Sequence, residues 1–188
     1  MDSFEKSYCH HALQQEADNV HRRYHDTQYG FPVGTDQDLF KRLVLEINQA
    51  GLSWTTILKK EAGFDQAYDQ FHIATVAAYG PAEVDRLLQD PAIIRNRLKV
   101  AAAIHNAQVI LQLQAEHGSF AHWLDQQGQL PLSDWVKRFK RVFRFTGGEI
   151  CNEFLRSTGY LPGAHHPDFP TYPLVLARQP AWLRAGGQ

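Results

Sequence analysis

The sequence predicts an all-α protein, and three observations carry that expectation. Apolar residues recur at helical spacing along most of the chain. Several of those segments open on a capping residue or a first-turn proline. Runs that alternate apolar with polar residues are nearly absent. The first helical pattern covers Asp18 to about Tyr24. Thr35, followed by Asp38 three residues on, reads as a cap that opens a helix from Asp36 to about Ala50. Two shorter patterns follow, Ser53 to Glu61 and Asp65 to Phe71. Pro81 opens a helix to Gln89, Asp90-Pro91 forces a turn, and a long helix runs from Ile94 to Glu116. Ser119 to Gln127, Ser133 to Val142 and Gly148 to Ser157 complete the series. "TYPLVLA", Thr171 to Ala177, fits either an extended segment or a short helix inside a Pro-rich tail, 162–188. The expectation is a single domain over 1–188, helical throughout, with a loop-rich C-terminal extension.

Composition excludes several classes. Hydrophobic residues make up 44% and charged residues 21%, the balance of an ordinary soluble protein. No apolar run reaches the length of a membrane span, and "MDSFEKSYCHH" lacks the apolar stretch of a secretory leader. Cys9 and Cys151 make no disulfide framework, which places the chain in a reducing cytoplasm. A net charge of -1 argues against a protein coated in positive charge but leaves local basic patches open to nucleic acid. Ten histidines raise metal binding and base contact as hypotheses.

One residue breaks the helical pattern. At about 100° per residue, Leu43, Glu46, Ala50, Trp54 and Ile57 all fall within about 60° of Leu39. Glu46 thus sits on the stripe that packs inward. A carboxylate there snorkels to the helix edge, pairs with a buried arginine or lysine, or serves a function. Two basic features bear on nucleic acid. Arg95, Arg97 and Lys99 crowd the start of the long helix, where exposed amides already favour an anion. In "KRFKRVFRF", Lys137, Arg138, Lys140, Arg141 and Arg144 interleave with Phe139, Phe143 and Phe145. That string suits either a DNA backbone or an amphipathic helix that buries its phenylalanines.

The segment "YHDTQYGFPVGTDQDLFKRLVLEINQAGLSWTTILKK", Tyr24 to Lys60, closely resembles the N-terminal signature of the 3-methyladenine DNA glycosylase I family. "LLQDPAIIRNRLKVAAAIHNA" continues the match as that family's helix-hairpin-helix element, near 83–105. "FRFTGGEIC" and "GYLPGAHHPD" match its C-terminal part. The resemblance implies a helix-hairpin-helix glycosylase that flips N3-methyladenine out of alkylated double-stranded DNA and leaves an abasic site. It implies an inward pocket in which Glu46 reads the base, helped by Tyr24 and Trp54. His21, and either His10 or His11, stand where the family carries aromatic residues, and His21 and His11 join the base-binding candidates. Arg95, Arg97, Lys99 and the amides of Asp90 to Ile94 are the implied backbone contacts. No general base is assigned, and the chemistry needs no cofactor.

The family commonly ties its ends together with a zinc held by Cys, His, His and Cys. Cys9, His25 and His165 match three of these, but Phe169 falls where the second cysteine belongs. Phenylalanine cannot bind zinc, so the expectation is a chain without it unless His10, His11, His166 or Asp168 supplies the fourth donor. The implied protein works as a monomer, away from membranes. Two alternatives remain in view: a damaged- or single-stranded-DNA binding module that has lost turnover, and a glycosylase whose alkyl-base specificity has shifted. A histidine-based metal hydrolase is disfavoured, because no H-x-E pair occurs in the chain.

Overall fold

The computed structural model describes residues 7–184. The first part of "MDSFEKSYCHH" and the last four residues of the Pro-rich tail lie outside the described residues. Among the described residues, every regular element is helical, as expected. None of these helices is long and apolar enough to cross a membrane. The chain divides into two compact units, one formed by Gly34–Cys151 and one by Met1–Val33 with Asn152–Gln188.

The terminal unit opens with α1 (Tyr8–Leu13), a six-residue helix that periodicity did not suggest. Ser7 caps it by accepting the His10 amide at 3.2 Å. Next comes α2 (Val20–Thr27), which starts later than Asp18 because Asn19 is the cap and accepts the His21 amide at 2.9 Å.

The larger unit begins at α3 (Asp36–Gln49), capped by Thr35, whose hydroxyl accepts the Asp38 amide at 3.1 Å. Leu39, Phe40, Leu43 and Ile47 are buried along it. The helix α4 (Trp54–Ala67) is one element where two pieces were expected. Ile57, Leu58, Phe64 and Ala67 bury one continuous face, so the helix stops only at a 3-10 turn over Asp69–Phe71. Two short helices, α5 (Ile73–Ala77) and α6 (Pro81–Gln89), lead to the long α7 (Arg97–His117). It starts at Arg97 rather than Ile94 because Asn96 Oδ1 accepts the Leu98 and Lys99 amides at 3.0 and 3.2 Å. Then come α8 (Phe120–Gln126) and α9 (Leu132–Val142). The Asp36 carboxylate reaches across to α8 and accepts the Phe120 and Ala121 amides at 2.8 and 2.9 Å, and the Gln114 side chain at 2.8 Å. An acid there satisfies amides that a helix start leaves open. Phe120, Trp123, Phe139 and Phe143 form one aromatic cluster, with Phe139 and Phe143 at 5.3 Å. The basic run therefore buries two of its phenylalanines and leaves Phe145 exposed, at a left-handed φ of 61°.

The chain then passes through α10 (Gly148–Ser157), which contains the fully buried, free Cys151. Burial pushes that thiol's pKa up to about 12. Residues 162–170 carry no regular element, and "TYPLVLA" resolves as the short helix α11 (Thr171–Ala177), its Pro173 tolerated in the first turn. A one-turn α12 (Ala181–Arg184) ends the described chain.

Candidate active site

Glu46 lies in the third turn of α3 and is only 4% exposed. Arg42, one turn earlier, is buried as well. Directly after α3 the chain makes a tight turn: Ala50 has φ -52° and ψ 117°, Gly51 has φ 80°, and the Leu52 amide donates to the Gln49 carbonyl at 2.7 Å. This is a type II turn, which needs a positive φ at its third residue and so favours glycine. Ser53 then caps α4 by accepting the Thr56 amide at 3.2 Å, and the half-buried Trp54 is the first helical residue.

The turn is held from beneath by a residue expected elsewhere. Lys99 is 6% exposed, and its Nζ donates to the carbonyls of Asn48 and Ala50, both at 2.8 Å. Those carbonyls belong to the C-terminal end of α3, where four C=O groups lack helical partners and the dipole favours a cation. Burial lowers the lysine's pKa from its ordinary value. Lys99 is thus withdrawn from the proposed backbone contacts, because its ammonium is committed inside the protein. Arg95 and Arg97 do point outward; Arg97 has a long 3.8 Å contact with the exposed Asp85.

The hairpin 90–96 also differs from expectation. Its Ala92 amide donates to Asp90 Oδ1 at 2.8 Å, the Ile93 amide to the Asp90 carbonyl at 3.4 Å, and the Asn96 amide to the Ile94 carbonyl at 3.0 Å. Internal turns thus use several of the amides thought to await a phosphate. A second connection, 143–147 between α9 and α10, is the opposite case. Among the described residues, the amides of 146–150 form no hydrogen bond, and nothing lies within 4 Å of where a Cβ would stand on Gly147 or Gly148. Buried Asn106 fixes the approach to it, donating to the Arg144 carbonyl at 3.1 Å and accepting its amide at 2.8 Å. Lys140, Arg141 and Arg144 are exposed beside it, whereas Lys137 pairs with Asp134 at 2.8 Å.

In the terminal unit, α1 and α2 bring together an aromatic cluster. Tyr24 and His21 are buried on α2, and His11 is exposed on α1. The His11 and His21 rings meet edge to face at 4.9 Å. Their common neighbour is Tyr8, which the sequence reading did not single out. Its ring lies 6.1 Å from His11, 6.3 Å from Tyr24 and 5.2 Å from Tyr29, and its hydroxyl is 3.0 Å from His21 Nδ1. The one available signal was the Tyr8–His11 spacing of three, which stacks two rings on a helix. Tyr29, 5.8 Å from Tyr24, donates its hydroxyl to Glu153 Oε2 at 3.2 Å, placing a carboxylate next to the cluster.

Cys9, His25 and His165 converge as the sequence suggested, with all three buried and one donor atom of each within 4.8 Å of the others. Burial raises the Cys9 pKa, lowers that of His25 and pulls His165 down to about 4. A closed structural zinc site takes four protein donors in a tetrahedron. These residues supply three, with the buried ring of Phe169 against His25 at 4.6 Å, so the set does not fit such a site.

The larger unit thus carries a buried carboxylate, Glu46, one turn before a tight turn that leads to Trp54, and the terminal unit carries a tyrosine–histidine cluster. The family model for methyladenine glycosylases matches residues 14–133. The chain is 33% identical over 161 residues to DNA-3-methyladenine glycosylase 1 of Escherichia coli, covering 76% of this chain and 86% of that one. It is 29% identical over 171 residues to DNA-3-methyladenine glycosylase of Haemophilus influenzae, covering 81% and 92%. A crystal structure of 3-methyladenine DNA glycosylase I in complex with 3-methyladenine matches with a TM-score of 0.78 at 30% identity, over 86% of this chain and 96% of that one. The Staphylococcus aureus 3-methyladenine DNA glycosylase I matches at 0.77 and 31% identity, over 86% and 95%. The chain belongs to the methyladenine glycosylase family.

Proposed function

We propose that this chain is a monofunctional DNA glycosylase that flips N3-methyladenine out of alkylated double-stranded DNA and hydrolyses its glycosidic bond, leaving an abasic site. The observation that carries the reading is Glu46, a carboxylate 4% exposed on α3 in a member of this family. N3-methylation makes adenine cationic and weakens its bond to the sugar. A buried carboxylate that accepts hydrogen bonds from the extruded base favours that positive charge, while neutral adenine gains less. Glu46 recognises the base; it is not a general base. Tyr24, Trp54, His21 and His11 assist by stacking or edge contact, and Tyr8 supports His21. Water completes the hydrolysis, and no cofactor is required.

The DNA backbone is held by Arg95 and Arg97, joined by the open amides of 146–150 with Lys140, Arg141 and Arg144. Such contacts position a duplex without reading its sequence. The same reading makes the protein a monomer of the cytoplasm, which two buried, unpaired cysteines support.

The test is base release from methylated duplex DNA, with released bases identified by mass, for wild type and Glu46→Ala. Free 3-methyladenine from wild type and a marked loss in the variant support the proposal. Tight binding of lesion DNA with no base released sinks it in favour of a binding module. Release of another alkylated base keeps the reaction and moves the substrate.

A further inference from the structure

We propose that Cys9, His25, His165 and Phe169 form a metal-independent clasp, in which the Phe169 ring takes the side where a tetrahedral site would place its fourth donor. The inference is separate from the glycosylase reading and stands or falls without it.

The clasp is satisfied as neutral groups, almost atom for atom. His25 Nδ1 lies 2.8 Å from Asp26 Oδ1. A carboxylate accepts, so Nδ1 carries the proton and Nε2 presents a lone pair. That lone pair faces Cys9 Sγ at 3.3 Å and can accept a hydrogen bond from the thiol S–H. His165 Nε2 lies 2.6 Å from the Tyr29 carbonyl, so it too is the protonated nitrogen. Cys9 Sγ in turn accepts the His166 amide at 3.2 Å. One inward lone pair is left poorly served, that of His165 Nδ1, 3.9 Å from the sulfur. Phe169, 2% exposed, closes the remaining side: edge-on to His25 at 4.6 Å between centroids and stacked on His165 at 6.5 Å.

The other candidates for a fourth donor make contacts of their own. His10 Nε2 is 2.8 Å from the Gln14 amide nitrogen, and His11 packs on Tyr8 and His21. His166 gives the sulfur its backbone amide, while its Nδ1 faces Asp168 at 3.4 Å. The backbone is shaped for this packing as well. Gly30 has φ 79°, and a Cβ there would come within 2.6 Å of Ala164 Cβ, beside His165. What the clasp joins is α1, α2 and the loop before α11. Because Tyr8 adjoins Cys9 and Tyr24 adjoins His25, it also sets the aromatic cluster.

The experiment uses the full chain, with metal content measured by elemental mass spectrometry and the unfolding midpoint followed with added zinc or chelator. Wild type should carry well under one zinc per chain, with a midpoint that a chelator does not move. Phe169→Cys supplies the missing donor and should take up one zinc per chain, with zinc affinity rising on the order of a hundredfold or more and a midpoint that now falls with chelator. Stoichiometric zinc in wild type, with a chelator-sensitive midpoint, overturns the proposal. So does a folded Phe169→Cys that takes up no zinc. If that variant fails to fold, Phe169→His decides by the same two readings, and a parallel failure to fold shows that the ring's packing is itself indispensable to the clasp.

Discussion

The ammonium of Lys99 sits 2.8 Å from the carbonyl oxygen of Ala50, so the start of α7 holds the end of α3. A lysine that reads as a solvent-facing cation instead neutralises the negative end of the helix that bears Glu46. It also fixes the turn through which α3 passes to Trp54.

Lys99→Met should lower the unfolding free energy by about 2–3 kcal/mol, since two buried carbonyls lose charge-assisted donors. Chemical denaturation measures this. Loss of the same size in Lys99→Arg would be unsurprising in so confined a place, so the methionine variant is the informative one. A change below about 0.5 kcal/mol would show that the bonds are replaceable by water.

Asp36→Ala should cost about 1–2 kcal/mol. The carboxylate accepts two amides at the start of α8 and the Gln114 side chain, and alanine leaves all three donors without it. Thermal unfolding checks the loss, and base release at low temperature should stay near wild type.

Arg97→Ala and Arg144→Ala should each weaken binding to undamaged duplex without sequence preference. Each should also reduce the steepness of the salt dependence by about one unit of log K per log salt. Lys99→Met should leave that slope unchanged. Fluorescence anisotropy across a salt series separates the two outcomes.

Tyr8→Ala should reduce kcat/KM for 3-methyladenine release by about tenfold, through the packing it gives His21, Tyr24 and Tyr29. Tyr8→Phe removes only the hydroxyl that meets His21 Nδ1 and should cost less. Affinity for undamaged DNA should not move in either variant. Single-turnover release beside a binding titration makes the comparison.

What the sequence disclosed follows from how local each signal was. The α3 cap at Thr35, the inward phase of Glu46 and the buried Phe139 and Phe143 all depend on neighbours within a few turns, and all are where periodicity put them. Lys99 was misplaced because its partners lie 49 and 51 residues away, and no helical pattern encodes a tertiary acceptor. The expected break inside α4 failed for a similar reason: one continuous buried face from Ile57 to Ala67 outweighs a local interruption. Tyr8 was missed because α1 is too short to show a period. The hairpin was legible as a turn, but whether its amides were free depended on Asp90 and Asn96 folding back upon it.

The two cysteines carry one more consequence. A protein that works where DNA is being methylated meets the same electrophiles, and thiolates are the most reactive nucleophiles a chain can offer. Cys9 is 1% exposed and Cys151 0%, and burial holds both as thiols. The repair protein thus presents little of the chemistry by which its own side chains would be alkylated, and it should outlast the exposure that creates its substrate.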